Sequence, residues 1–323
     1  MTVAEPLPQH RDSSRSRTVV LGRPVLPGMV GCLQRGGHDP SHRRIGSGWL
    51  RASLTPHGPA LIKINPAADR VHARAWGTGA EWALDQLPAL LGADDDPTGF
   101  RPQHPVLVEA ARRFPDLRIG RTELVFEALS PSIIEQKVTG LEAYGAIRRL
   151  INRYGEPAPG PAQDPSSPAY GMRVPPTPRA WATIPSWQFL QLGLESNRSR
   201  TLVNAARRAT AVDRLVARSA SDADRALRSL PGVGAWTSAE VRQRSHGDAD
   251  AWSIGDYHVG KDICWALTGE VLDDAAAEEL LEPYRGHRFR VQTLLGLMGL
   301  HRPRRAPRMT LPTHTPYATR GRS

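Results

Sequence analysis

The apolar positions change their period once along the chain. Between residues 45 and 76 they alternate. Ile45 to Leu54 and Ala60 to Ile64 form two short runs separated by the turn-forming Thr55-Pro56-His57-Gly58-Pro59. Arg70 to Trp76 alternates again, with Val71, Ala73 and Ala75 on one side. The pattern predicts three short strands in a small sheet. Ala80 to Leu91 then repeats at helical spacing through Trp82, Leu84, Leu87, Leu90 and Leu91, and Asp94-Asp95-Asp96-Pro97 makes a boundary.

From residue 104 onward the spacing is helical. It predicts helices over His104–Phe114, Thr122–Leu129, a segment from Thr139 to about Tyr154, Asn197–Ala211, Ser221–Ser229, Ala235–Arg244, Asp256–Thr268, Ala275–Glu282 and Arg288–Leu300. Thr139 and Glu142 fit a capping box. Ser130-Pro131 interrupts the run there, with Ser130 placed to cap a new segment. Gly269 stops the helix before it. The stretch 155–178 is rich in Pro and reads as an irregular connection or insertion. These elements give a mostly α chain of the α+β kind. A disordered tail is expected over 1–20, a small sheet-and-helix domain over 21–98, a helical domain of two subdomains over 99–300, and a basic disordered tail over 301–323.

Composition narrows this picture. No apolar run is long enough to span a bilayer, and residues 1–17 lack an apolar signal region, so a cytoplasmic protein is expected. The two cysteines, Cys32 and Cys264, supply neither a disulfide framework nor the four thiolates of an iron–sulfur cluster. The net charge is +10, which suggests a nucleic-acid partner. Its distribution is uneven. Residues 301–323 hold six Arg and no acid, and residues 1–50 hold seven Arg against Glu5, Asp12 and Asp39. The interior is balanced, so charge alone does not argue for DNA. The Arg-rich ends fit either nonspecific phosphate attraction or simple solubility.

The strongest local signal is Leu230-Pro231-Gly232-Val233-Gly234 between two predicted helices. Gly232 and Gly234 lack a Cβ, so a nucleic-acid backbone can come close. The second helix starts at once, and its free N–H groups and dipole suit a phosphate. Val233 can pack inward and Leu230 can anchor the turn.

Leu230 to Thr237 resembles the hairpin of the helix-hairpin-helix DNA glycosylase superfamily. That family places a catalytic Asp downstream of the second Gly, at a helix start. Asp256, in Gly255-Asp256-Tyr257-His258-Val259, stands there. Upstream, Ile133-Ile134-Glu135-Gln136-Lys137-Val138-Thr139 is similar to the segment that carries a Gln and a wedge residue to the DNA minor groove. Gln136 matches it, and Lys137 replaces the wedge with a side chain better suited to a phosphate. The N-terminal sheet and helix resemble the extra domain of the 3-methyladenine DNA glycosylase II type. The similarity covers residues 20–300.

The resemblance implies a helix-hairpin-helix core and double-stranded DNA containing damaged bases as partner. It implies base flipping, and hydrolysis of the N-glycosidic bond with Asp256 as the catalytic carboxylate, in base excision repair. Asp256 is equally suited to cap its helix, and the two roles are compatible. Bifunctional members carry a Lys shortly after the hairpin, and none lies between Leu230 and Lys261, which implies base removal without strand cleavage. Trp236 resembles the aromatic that holds a cationic alkylated purine. Glu240 stands one turn later, where relatives often carry an aromatic. Its carboxylate is open to pairing with a base or to facing solvent. Tyr284 is similar to another aromatic that borders the pocket. The DNA-contact set is Gln136, Lys137, Leu230, Gly232, Val233, Gly234 and Thr237. No cofactor and no metal ligand is expected, with a structural cation at the hairpin backbone as the one metal the motif leaves open. His258 reads as structural. A monomer acting on nucleoid DNA is expected. The alternatives are a glycosylase for an oxidised, deaminated or crosslinked base, and a noncatalytic DNA-binding protein.

Overall fold

The computed structural model describes residues 14–303. The expected tails over 1–13 and 304–323 lie outside the described residues. Five antiparallel strands form one sheet: β1 Arg15–Val20, β2 His42–Ile45, β3 Gly48–Thr55, β4 Gly58–Pro66 and β5 Arg70–Trp76, in the order β1-β5-β4-β3-β2. The helix α1, Pro27–Gly31, links β1 to β2.

Residues 15–20 therefore correct the expected disorder of 1–20. Only Val19 of that strand is buried, and Arg15 pairs with Ala75 across to Val20 with Arg70. Backbone pairing with β5, rather than apolar content, makes it a strand. Its arginines suit an edge position.

One face of the sheet packs Val19, Trp49, Ile62, Ile64, Val71 and Ala73 against α2, Ala80–Leu90. The other face packs Leu50, Leu61 and Trp76 against Ala158, Ala162, Met172 and Val174. The Pro-rich stretch is thus a packed layer, held by the short pair β6 Glu156–Pro157 and β7 Arg173–Val174. The prolines fix extended backbone there, and the buried alanines let it lie close to the sheet.

The helices follow in chain order: α3 Pro105–Arg113, α4 Val125–Ile134, α5 Gly140–Tyr154, α6 Pro178–Thr183, α7 Ser186–Gln191, α8 Ser196–Ala206, α9 Ala209–Asp213, α10 Ala220–Arg228, α11 Ala235–Ser245, α12 Val259–Thr268, α13 Asp274–Leu281 and α14 Arg288–Leu297. They build two cores. One gathers α4 to α10 with Val233 and Val241. The other gathers α3, Trp252 and α12 to α14. The Thr139 side chain caps α5 by accepting from Glu142 N at 3.3 Å. Gly269 ends α12 at φ 81°.

Ser130 does not begin a new helix. The helix α4 runs through Pro131, and Leu129, Ile133 and Ile134 are at most 1 % exposed. A Pro in a helix interior costs about 3 kcal/mol. Burial of several large side chains, each contributing about 1.5–3 kcal/mol, exceeds that.

Two buried ion pairs fix the parts together. Arg51 in β3 reaches Glu127 in α4 at 2.6 Å, and Glu127 also accepts from Ser53 Oγ and Leu54 N. Burial pushes the Glu127 carboxyl up, with Arg51 opposing. Arg290 in α14 reaches Asp95 at 2.6 Å, and Asp95 accepts from Ile119 N. No described helix is long and apolar enough to cross a membrane.

Candidate active site

Helix α10 begins on the Ser219 side chain, which accepts from Asp222 N. After Arg228 the chain turns, and Val233 N donates to Leu230 O at 3.0 Å. Leu230 and Val233 turn inward onto the helical core. Gly232 is exposed at φ +85°, and a Cβ there would lie 2.2 Å from Thr201 Oγ1. Gly234 is exposed at the N-terminus of α11, a Cβ there would meet nothing, and no side chain caps the helix. Its first N–H groups have no intrahelical partner by geometry, so they suit an anion.

Gln136 Nε2 donates to Gly232 O at 2.9 Å and to Thr237 Oγ1 at 2.8 Å. Thr237 is 2 % exposed. Thr237, Val233 and Leu230 therefore turn their side chains inward and support the hairpin from inside. They are drawn inward because an exposed turn needs an apolar anchor and its side-chain partner needs a fixed acceptor. Gln136 spends its amide on the same turn. Lys137 beside it is exposed at φ +55°, a left-handed conformation uncommon for a residue with a Cβ. The exposed members of the expected set are Lys137, Gly232 and Gly234.

Asp256 lies just before α12, which starts at Val259 rather than at Asp256 itself. Its Oδ1 accepts from His258 N at 2.8 Å and Val259 N at 3.1 Å. One oxygen thus takes both cap bonds, and Oδ2 takes none among the described residues. The residue is half-buried. Asp256 N donates to Ser253 O at 3.1 Å, and Gly255, at φ +83°, donates to Asp274 Oδ2 at 2.9 Å. This loop joins the two helical cores.

Trp236 is half-buried at the start of α11, and its buried Nε1 has no hydrogen-bond partner among the described residues. Glu240, one turn on, is 7 % exposed and does not face solvent. Its Oε2 accepts from Arg244 Nη1 at 2.7 Å and its Oε1 from Ser253 Oγ at 2.6 Å. Burial alone would push the Glu240 carboxyl up; Arg244, the Ser253 bond and Arg35 outweigh it and hold the group below its ordinary value. Arg244 is pushed up in turn by Glu240 and Glu135 against its own burial. A second pair, Arg35 and Glu135, meets at 2.6 Å. Burial pushes Glu135 up, with Arg35 and Arg244 opposing. Cys32 is exposed yet recessed among these charges, and desolvation raises its thiol.

Tyr284 does not border this region. It is 2 % exposed in the core of α3 and α12 to α14. Its hydroxyl accepts from Gln103 N and His104 N and contacts His104 Nδ1 at 2.5 Å. The large ring fills core volume and its one polar atom is used up there. His258 Nδ1 accepts from Arg302 Nη2 at 3.2 Å. Among the described residues no group of His, Cys, Asp or Glu is placed to hold a metal ion. Ser253, Gln243, Gln292, Arg35 and Arg244 escaped sequence reasoning. Only the i, i+4 spacing of Glu240 and Arg244 could have signalled any of them.

No protein-family model matches the chain. In sequence it is 28 % identical over 242 residues to a protein of Mycobacterium tuberculosis described as a probable bifunctional transcriptional activator/DNA repair enzyme AlkA, a match that covers 67 % of this chain and 44 % of that one. The chain thus spans about half the length of the curated relative it matches. In structure it is similar to a 3-methyladenine DNA glycosylase from Archaeoglobus fulgidus, with TM-score 0.70 and 17 % identity over 86 % of this chain and 96 % of that one. It is also similar to a Clostridium acetobutylicum 8-oxoguanine glycosylase/lyase solved with double-stranded DNA, with TM-score 0.61 and 13 % identity over 80 % and 87 % of the two chains. The chain shares its fold with these solved DNA glycosylases.

Proposed function

We propose that this chain is a DNA glycosylase that removes an alkylated purine of the 3-methyladenine type and leaves the strand uncut. The observation that carries the reading is Asp256. Its Oδ1 is fixed by two backbone amides while Oδ2 has no hydrogen bond among the described residues, at the start of a helix that follows the hairpin. A ring-alkylated purine is cationic and leaves readily. Loss of the base builds positive charge on the sugar, as in glycoside hydrolysis. A preorganised carboxylate stabilises that charge without having to reorient. The hairpin amides and Lys137 hold the phosphates of the flipped strand. Trp236 offers a ring face to a cationic base. The absence of Lys between Leu230 and Lys261 supports hydrolysis without a Schiff base. The proposed setting is nucleoid DNA, with the protein acting as a monomer.

A second reading keeps the fold and changes the lesion. The Arg35–Glu135 and Arg244–Glu240 pairs favour it, because they put buried charge one turn after Trp236, where an aromatic would suit an alkylated base. One assay separates the readings. The protein and Asp256→Asn are incubated with methylated DNA and with DNA carrying 8-oxoguanine, uracil or a crosslink, and released bases and nicked strands are measured. Release of 3-methyladenine or 7-methylguanine by the parent alone, without nicks, is the expected result. Release of another base by the parent alone selects the second reading. Equal release by both proteins removes Asp256 from the mechanism. Binding without release from any substrate leaves a noncatalytic DNA-binding protein.

A further inference from the structure

The Ser253 hydroxyl, three residues before Asp256, is 2 % exposed and fully engaged. It donates to Glu240 Oε1 at 2.6 Å and accepts from Gln243 Nε2 at 3.0 Å and Gln292 Nε2 at 2.9 Å. One donor and two lone pairs are all that a hydroxyl has. Gln292 also accepts from Ser253 N at 2.9 Å, so it grips the residue by two bonds, and Gln243 Nε2 donates to Ala251 O at 2.6 Å. The Ser253 carbonyl then receives Asp256 N at 3.1 Å. Helices α11 and α14 thereby meet on the turn that carries Asp256.

Glu240 sets the direction of this network. The two Gln side chains present only N–H donors to the Ser253 oxygen, so its proton must go to the carboxylate. A bond to an ionised acceptor is about twice as strong as a neutral one. Arg244 holds the other carboxylate oxygen at 2.7 Å, which fixes the rotamer and keeps Glu240 charged. With one oxygen on Ser253, the other on Arg244 and the residue 7 % exposed, the carboxylate faces this network.

We propose that Glu240 is a positioning residue: acting through the Ser253 hydroxyl, it holds the turn that aims the Asp256 carboxylate. What Asp256 then does rests on the glycosylase reading above, but the hold on the turn does not.

The test compares Ser253→Ala, Glu240→Ala, Glu240→Gln and the double variant Glu240→Ala/Ser253→Ala in the full chain. Two readouts are taken: single-turnover base release, and hydrogen exchange at the Asp256 and His258 amides. Displacing a reacting group by about 1 Å lowers a rate by about 100-fold, so release falls by about 10- to 100-fold in both Ala variants while affinity for abasic-site DNA stays unchanged. The fall is by the same factor for every base the parent releases. Glu240→Gln, which keeps an acceptor for Ser253, recovers most of the rate. The double variant is no worse than either single one, as expected for residues acting in one chain of contacts. The Asp256 and His258 amides lose protection in the Ala variants, and amides of α5 do not.

Parental exchange in Ser253→Ala overturns the proposal. So does a Glu240→Ala variant that reorders the preference among bases while Ser253→Ala changes nothing, since that returns Glu240 to reading the base. Where an Ala variant fails to fold, the half-buried Gln292→Ala removes two bonds from Ser253 and must shift both readouts in the same direction. A parent that releases no base sinks the glycosylase reading alone, because exchange at Asp256 still decides the positioning.

Discussion

The side-chain amide of Gln136 donates to the Gly232 carbonyl at 2.9 Å and so ties the turn after α4 to the hairpin before α11. Residues 96 positions apart become one surface. Lys137 and the open end of α11 are its two exposed features. The bond uses the amide that the sequence resemblance would send to the minor groove. Gln136 therefore sets the spacing between a cation and a helix end.

The two hairpin glycines are needed for different reasons. At Gly232 both the backbone and the surroundings demand Gly: φ is +85° and a Cβ would lie 2.2 Å from Thr201 Oγ1. Gly232→Ala is expected to cost about 3 kcal/mol, from left-handed strain plus overpacking. At Gly234 φ is −98° and a Cβ meets nothing within the protein. Gly234→Ala is expected to change stability by under about 1 kcal/mol but to weaken DNA binding, because the methyl occupies the approach of the phosphate. Thermal melts and DNA titrations of both variants check this. Equal loss of stability in the two, or full DNA affinity in Gly234→Ala, would refute it.

Lys137 carries the opposite trade. Its left-handed backbone at φ +55° stores about 1 kcal/mol in a residue with a Cβ. Lys137→Gly is expected to raise the unfolding free energy by about that amount and to lower DNA affinity. The slope of log affinity against log salt should shrink by about 0.9, one phosphate contact. A variant that is stabilised but shows the parental slope would keep the strain and remove the phosphate role.

Asp256 combines a cap and a proposed catalytic group, and two substitutions separate them. Asn caps a helix as well as Asp does, so Asp256→Asn is expected to melt near the parent temperature. It loses the charge, and excision should fall by about 100- to 1,000-fold. Asp256→Ala should lose the same activity and about 1 kcal/mol of stability as well, through the cap. Matching melts for Asn and Ala would show that the two amide bonds at Oδ1 contribute little.

Much of the fold was legible because helical periodicity and turn chemistry are local. Leu230 and Val233 announce an inward anchor by their spacing around two glycines. Asp256 stands at a helix start whether read as cap or catalyst. What was hidden is non-local. Ser253 and Gln292 are 39 positions apart, and nothing in either neighbourhood marks the bond between them. Strand β1 has one buried residue, so its pairing with β5 leaves almost no trace in its pattern. Pro131 reads as a helix boundary, yet packing carries α4 through it. Tyr284 shows the limit of resemblance by position: the side chain is aromatic as expected, but its hydroxyl is tied to the start of α3.

The buried His42 gives the fold a pH dependence with a definite sign. The residue is 8 % exposed, its Nδ1 is 3.8 Å from Asp39, and its Nε2 has no partner among the described residues. Burial pushes its pKa down to about 4, with Arg51 and Arg35 adding to the fall and Asp39 opposing it. In the unfolded chain an ordinary His titrates near 6.5. Between those two values the unfolded state binds more protons, so acid favours unfolding. The contribution of His42 is therefore complete above about pH 6.5 and is lost as pH falls toward 4, by on the order of 3 kcal/mol. Urea unfolding of the parent and of His42→Gln, measured between pH 7 and 4, isolates this part. The Gln variant should start less stable at pH 7, through lost packing, and its stability should fall less steeply below pH 6.5. Parallel curves would mean that His42 titrates alike in the folded and unfolded chain, and a Gln variant that loses stability more steeply than the parent would mean that His42 is protonated in the fold, paired with Asp39.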